Sequence, residues 1–303
     1  MKFEWPVISS LRSSWKSFLS SEGRNHGERG DNFPASPWGC LPDQTAGAPV
    51  GCNICGWTGD KFGGPTHCEG ATCPRCGSIA RDRFLFHCFT SRMPSGVRYK
   101  ILETSPRLGE GYRHAMARWF DYTCSDYDER AHRGMLKVDL QAIDLPNATF
   151  DVILTPHVLE HVADTDSALN ELSRGLVPGG RLYLQVPLLQ GQTTAPRMPE
   201  FHGDNTPVFW RFGFDLTDRL RSHGLHTSLL ATKSFVSHVL AGKEPWPEPT
   251  SPEFDVTSMI EGAVPADLIV AADIDLAKRH GFSPAYMYLT WECIKRADSA
   301  CRD

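Results

Sequence analysis

No stretch of this chain approaches the roughly 18 consecutive apolar residues that a membrane-spanning helix needs. A basic surplus is missing as well: 31 Lys+Arg stand against 36 Asp+Glu, a formal charge of −5. Proteins built to grip phosphate backbones usually carry that surplus, so nucleic acid is disfavoured as the main partner. There is no internal repeat, no collagen-like glycine period and no coiled-coil heptad pattern. The opening segment, MKFEWPVISSLRSSWKSFLSSEG, lacks a continuous apolar core of signal-peptide length. Six of the ten cysteines (Cys40, Cys68, Cys88, Cys124, Cys293 and Cys301) are scattered singly, which suits a reducing compartment better than a disulfide scaffold. A cytoplasmic protein is expected. What remains is ordinary for a globular chain: 303 residues, 41% hydrophobic and 22% charged, room for about two domains or one with an appendage.

Residues 1–48 are rich in Ser, Gly, Pro and Asn and read as mostly loose. Within them Ile8, Leu11, Trp15, Phe18 and Leu19 fall on one helical face, with Arg12 and Lys16 nearby. A membrane-surface or partner-docking helix over residues 5–19 is one reading; a short helix lying on the protein's own body is the blander one, and the few turns favour it. Residues 49–97 hold paired cysteines and then SIARDRFLFHCF, an expected helix.

The pairs are CNIC and CPRC, Cys52/Cys55 and Cys73/Cys76, with seventeen residues between them. That spacing fits a four-thiolate zinc site. Each Cys-x-x-Cys places two sulfurs on one tight turn, and Gly56 and Gly77 stand where the chain must fold back. With all four positions filled by protein, the zinc should be structural. His67 and Cys68 lie between the knuckles and read as incidental.

From residue 98 strands and helices alternate. RYKILET, WFDYTCSD, MLKVDL, FDVILTPHV and RLYLQVPL read as strands, and Asp164 to Leu176 as an amphipathic helix. Pro106 to Trp119 reads as a helix capped by Ser105 and begun by Pro106. Residues 189–209 read as a loop long enough to be functional. TPVFWRFGFDLTDRLRSHG and VPADLIVAADIDLAKRHG read as helices, HTSLLATKSFV and AYMYLTWECIKRA as strands, and EPWPEPTSPEF as a Pro-rich interruption. Such alternation predicts a doubly wound α/β sheet.

The stretches CPRCGSIARDR, ILETSPRL, KVDLQAIDLPNATFDVILTPHVLEHVADTDSALNELSRGLVPGGRLYLQVPL and HGDNTPVFWRFGFDLTDRLRSHG resemble class I S-adenosylmethionine-dependent methyltransferases, in the bacterial branch where a zinc ribbon precedes the core. The resemblance implies a Rossmann-like, mostly parallel sheet with an antiparallel last strand, spanning residues 98–303 with an insertion at about 234–283. Ligands of such sheets bind beyond the carboxyl ends of the strands, where strand order reverses. That puts the cofactor beside Glu103, Thr104 and Ser105, with Glu103 toward the ammonium group and the free N–H groups at Pro106 toward the carboxylate. Asp126 suits the ribose hydroxyls. The family implies Asp139 and Leu140 for the adenine, and Thr155, Pro156 and His157 for the methionine portion. The family's Gly-x-Gly pattern is absent here: ETSPRL stands in its place, and Gly109 and Gly111 come late.

His157 is the candidate base, with His202 and Asp204 as a further pair at the acceptor mouth near Trp210, Arg211 and Trp246. The spacing of His157, Glu160 and His161 also fits a metal cluster, though packing and rim roles are the preferred reading. The sequence thus points to methyl transfer onto oxygen or nitrogen of a small molecule or glycan. The rivals are an RNA methyltransferase gripping its substrate with the ribbon, and an inactive scaffold that keeps the fold.

Overall fold

The structure is a computed structural model that describes residues 50–64, 70–128, 136–202, 205–243, 255–282 and 289–297. The candidate helix over 5–19, His67, Cys68, Asp204 and the Pro-rich stretch with Trp246 lie outside the described residues.

Eight strands among the described residues form one sheet. They are β3 (Lys100–Thr104), β4 (Asp121–Asp126), β5 (Leu136–Lys137), β6 (Phe150–Pro156), β7 (Leu176–Gln185), β10 (Leu225–Thr232), β11 (Leu268–Ala272) and β12 (Thr290–Lys295). Their order is β11-β10-β12-β7-β6-β3-β4-β5. β3 pairs in parallel with both β4 and β6, and β6 with β7. β12 runs antiparallel between β7 and β10. Order therefore reverses at β3, which sends one crossover toward β4 and the next back to β6. β6 is nearly continuous in apolar residues because both its faces are covered, and Val152, Ile153 and Leu154 are fully buried.

Helices cover the sheet. Helix α2 (Glu110–Trp119) joins β3 to β4, and α3 (Thr165–Gly175) precedes β7. Asp164 caps α3 by accepting from the Ser167 N–H at 3.0 Å, and Ala168, Leu169 and Leu172 form its buried stripe. β10 is flanked by α4 (Leu216–Ser222) and α5 (Lys233–Leu240), and β11 by α6 (Val256–Gly262) and α7 (Ile274–Arg279).

The cysteine-bearing segment opens with a two-stranded ribbon, β1 (Val50–Gly51) against β2 (Thr58–Gly59), and continues into α1 (Ala80–Arg92). α1 is not amphipathic in the surface sense: Arg83, Phe84, Leu85, Phe86, Cys88 and Phe89 are all buried between ribbon and sheet. Phe89 stacks edge-on to Tyr183 of β7 and tilts against Phe120, at 5.9 and 5.4 Å between centroids. Arg92 pairs with buried Glu292 of β12 at 2.7 Å.

Arg83 joins ribbon and core. Its guanidinium is fully buried, donates to the carbonyls of Ser78, Ala71 and His280 at 2.6 Å each, and lies 3.9 Å over the Phe62 ring. His280 in turn bonds the Gly51 carbonyl through Nδ1 at 2.7 Å. Gly281 has φ +67, and a Cβ there would sit 2.4 Å from the Phe62 ring. Only glycine fits that corner.

Four expectations are corrected. The helix after β3 begins at Glu110 with Gly109 as its N-cap, not at Pro106. Ser105 takes a left-handed φ of +46, incompatible with the extended backbone of an N-cap, and its hydroxyl is engaged elsewhere. The segment TPVFWRFGFDLTDRLRSHG is helical only at Leu216–Ser222; Pro207–Val208 (β9) pairs antiparallel with Glu200–Phe201 (β8) inside the expected loop. In VPADLIVAADIDLAKRHG, Leu268–Ala272 is a strand that extends the sheet beside β10, and the helix restarts after Asp273, which accepts from the Leu276 N–H at 2.8 Å. HTSLLATKSFV is a strand only to Thr232, whose side chain caps α5 by accepting from the Phe235 N–H.

Candidate active site and metal centre

The ligand atoms of Cys52, Cys55, Cys73 and Cys76 all lie within 4.8 Å of one another. Cys52 and Cys76 sulfurs are 3.7 Å apart, and Cys55 and Cys73 sulfurs 3.6 Å. A tetrahedral zinc with bonds of about 2.3 Å has sulfur–sulfur edges of about 3.8 Å, whereas a disulfide is about 2.05 Å. The two knuckles repeat one geometry. Gly56 N–H donates to Cys52 O and Gly77 N–H to Cys73 O, both at 2.9 Å, and both glycines have φ +72. Contact with the Cys52 sulfur pushes the Cys55 and Cys76 thiols far up. The Cys52 and Cys73 thiols shift the other way, downward, and a cation among the four sulfurs would hold all of them as thiolates. The donor set fits zinc.

At the carboxyl ends of the parallel strands the expected acidic residues line up. Glu103, near the end of β3, is buried, and its Oε2 accepts from the hydroxyls of Tyr122 at 2.7 Å and Tyr112 at 3.1 Å. Burial pushes its carboxyl up to about 7, against the pull of both tyrosines. Thr104 is buried beside it, its hydroxyl 3.5 Å from Leu154 O. Asp126 ends β4 half-buried; its Oδ2 accepts from Ser105 Oγ at 2.8 Å and its Oδ1 from Asp128 N–H at 3.0 Å. Asp139, past β5, holds a turn by accepting from Gln141 N–H at 2.9 Å, with Leu140 buried next to it. Thr155 in β6 is buried, and its hydroxyl has no hydrogen-bond partner.

Past β6 the chain turns through His157 at φ +53, whose N–H donates to Gln185 O at 2.8 Å. A single turn of 3₁₀ helix, Leu159–His161, follows. Its buried Glu160 places Oε1 3.6 Å from His157 Nδ1 and 3.8 Å from His161 Nε2. His161 Nδ1 donates to Pro207 O at 2.7 Å, and the His202 ring stands perpendicular to it at 4.6 Å. Burial, then the charges of Arg81, His161, His202 and Arg107, keep His157 well below its ordinary value, so its imidazole is neutral at pH 7. The β8–β9 hairpin is moored here: Phe209 N–H donates to Glu160 O at 2.8 Å and Trp210 Nε1 to Ala163 O at 3.1 Å. Among the described residues only the four cysteines gather as a metal-binding group.

Residues 109–184 match the family model for a methyltransferase domain. Over those residues the chain resembles a methyltransferase domain. The match starts where α2 is capped and takes in β4 to β7; it leaves out β3 and the ETSPRL segment. No curated protein matches the chain. Solved structures that resemble the chain include an S-adenosylmethionine-dependent methyltransferase from Mesorhizobium loti, at 15% identity and TM-score 0.43, covering 72% of this chain and 99% of that one. Another is 1,6-didemethyltoxoflavin-N1-methyltransferase from Burkholderia thailandensis with bound 1,6-didemethyltoxoflavin and S-adenosylhomocysteine, at 13% identity and TM-score 0.39, covering 66% and 72%. A third is a methyltransferase in complex with the Trm112 methyltransferase activator from Haloferax volcanii, at 15% identity and TM-score 0.41, covering 72% and 93%.

The structure bonds Ser105 to Asp126, lines one small cavity with both Glu103 and His157, and gathers His157, Glu160, His161 and His202. Sequence reasoning missed Tyr112 and Tyr122, which hold Glu103, and Arg81 and Arg107, which flank His157. No spacing rule signals them, because their partners come from other elements.

Proposed function

We propose that this chain binds S-adenosylmethionine across the ends of β3, β4 and β5 and transfers its methyl group to oxygen or nitrogen of a small molecule or glycan intermediate, in the cytoplasm. One observation carries the reading: carboxylates at the ends of adjacent parallel strands, Glu103 and Asp126, flank the point where strand order reverses. In this reading Glu103 meets the ammonium group, Thr104 and Ser105 line the turn, Asp126 takes the ribose hydroxyls, and Asp139 and Leu140 serve the adenine. Thr155 offers a buried hydroxyl that a bound molecule can satisfy. S-adenosylmethionine supplies the methyl group from its sulfonium. The chain's work is alignment and exclusion of water.

His157 is the proposed base. Its Nδ1 faces Glu160, and Nε2 is the nitrogen we assign to take the proton from an acceptor hydroxyl. Its neutral state at pH 7 leaves it able to do so. His202 and Asp204 are proposed to help at the acceptor mouth; His202 reaches the cluster through His161. Zinc held by Cys52, Cys55, Cys73 and Cys76 is proposed as structural, anchoring the segment that ends in α1. The formal charge of −5 supports a small acceptor over RNA.

Calorimetric titration with S-adenosylhomocysteine tests the reading. Binding at micromolar concentration supports it. A folded, zinc-loaded protein that binds neither this product nor S-adenosylmethionine at millimolar concentration overturns it in favour of a scaffold. For the base, His157→Asn should lower kcat at least a hundredfold in a protein that still binds S-adenosylhomocysteine.

A further inference from the structure

The carboxyl ends of β3 and β6 do not close their side of the crevice alone. α1 of the cysteine-bearing segment lies over them, and a small cavity is enclosed between. Glu103, Arg107, Tyr112 and His157 line it from the core, and Arg81 and Leu85 from α1. It measures about 40 Å³. That is room for a terminal group, a few waters' worth, with the rest of a ligand lying in the open crevice toward β4.

Asp82, on the ribbon side, is already satisfied: it accepts from Ile79 N–H at 2.9 Å and pairs with Arg107. Arg107 also donates to Gly77 O at 3.1 Å, so the loop after β3 is tied to the second cysteine knuckle. Arg81 adds a second guanidinium on the same turn of α1, and its carbonyl accepts from Gln185 Nε2 at 3.4 Å, the residue whose own carbonyl holds His157 N–H. Both arginines lie close enough to His157 to oppose a proton on its ring. On the strand side stands the Glu103 carboxyl. Two guanidinium groups and the Glu103 carboxyl thus reach one cavity, with Asp82 bound to Arg107. The amino-acid end of S-adenosylmethionine carries the complementary pair, a carboxylate and an ammonium.

The helix after β3 begins at Glu110 rather than Pro106, which moves its free N–H groups along the chain from the turn at Ser105. We infer that Arg81, carried by the ribbon helix, takes the carboxylate of the cofactor, with Arg107 held beside it by Asp82 and Gly77. This rests on the cofactor reading above and deepens it: the zinc ribbon is a wall of the cofactor site, and the metal that folds the ribbon thereby sets the position of a cofactor ligand.

Two probes separate the inference from general damage. S-adenosylhomocysteine has the amino-acid end; 5′-methylthioadenosine has the same nucleoside without it. Titration of the full-length, zinc-loaded protein with both should find that Arg81→Ala weakens S-adenosylhomocysteine about tenfold to a hundredfold, the worth of a charged hydrogen bond, and leaves methylthioadenosine within about twofold. Arg81→Lys should recover part of the loss, since it keeps the charge but not the forked geometry. Zinc content and circular dichroism check that each variant is folded. Wild-type binding with S-adenosylhomocysteine unchanged in Arg81→Ala overturns this inference and leaves the cofactor reading standing. Equal losses for both probes overturn it as well, because the damage is then not at the carboxylate. Wild type that binds neither probe overturns both readings.

Discussion

Ser105 Oγ donates to Asp126 Oδ2 at 2.8 Å, and this bond joins the Ser105 N–H to Ser125 O bond in tying the end of β3 to the end of β4. Ser105 does so from a left-handed backbone, φ +46, a conformation that favours glycine. The unusual ETSPRL segment therefore keeps the bend without the glycine, and the hydroxyl offsets part of its cost.

That geometry predicts opposite effects from two small substitutions. Ser105→Ala loses the hydrogen bond and keeps the strain, so it should destabilise by about 1 kcal/mol. Ser105→Gly loses the same bond but relieves a left-handed strain of about 1–2 kcal/mol, so it should be neutral or stabilising. Urea unfolding of the two variants distinguishes them, and equal stabilities would show that the backbone there is unstrained. Asp126→Ala should weaken S-adenosylhomocysteine about tenfold to a hundredfold by calorimetry.

The four-sulfur cluster predicts close to one zinc per chain by metal analysis of purified protein. Cys73→Ser should reduce both zinc content and soluble yield, because a structural metal supplies folding free energy. A zinc-free wild type with unchanged thermal stability would refute the assignment.

Glu103 makes stability depend on pH. Its carboxyl is raised to about 7 in the folded protein from an ordinary value near 4.5, so the folded state holds the proton more tightly than the unfolded one. The contribution is complete below about pH 4.5 and is lost as pH rises through 7, a fall of about 3 kcal/mol across that window. Other groups run the opposite way: burial lowers His280 to about 4, so its contribution is lost as pH falls. The informative quantity is thus the difference between wild type and Glu103→Gln, which should lack this part of the slope in thermal melts from pH 4.5 to 7.5. If the ammonium of the cofactor meets Glu103, binding near pH 7 also releases a proton, visible as a buffer-dependent heat.

Arg83 predicts a large loss of stability. Arg83→Met leaves the carbonyls of Ala71 and His280 without their side-chain donor, and Ser78 O with only the Cys73 N–H. At about 1 kcal/mol or more for each orphaned carbonyl, the cost is about 2 kcal/mol or more. It should appear as a lowered melting temperature together with faster zinc loss to a chelator. Arg83→Lys should recover little, because one ammonium cannot span three diverging carbonyls.

The centre of the sheet was legible because its signals are local. FDVILTP reads as a doubly buried strand from apolar continuity alone, and Asp164 marks its helix by an ordinary cap. The cysteine spacing carried its own geometry. What escaped was decided by distant partners. LIVAA carries helix-compatible residues and becomes a strand because β10 offers it an edge. Pro106 has the chemistry of a helix start, yet Ser105 is held in a left-handed bend by Asp126, a residue 21 positions away. Tyr112 and Tyr122 enter the site only because α2 and β4 both pack beside Glu103.

The joint at Arg83 also sets a schedule for synthesis. The cysteines leave the ribosome early, but the carbonyl of His280 that completes the Arg83 socket, and the Gly51–His280 bond beside it, arrive 197 and 229 residues later in sequence. A nascent chain stopped short of residue 280 holds its zinc ligands with an unfinished wall behind them. The ribbon is thus made well before it is sealed, and the wall it forms takes its final shape only once residue 280 has been translated.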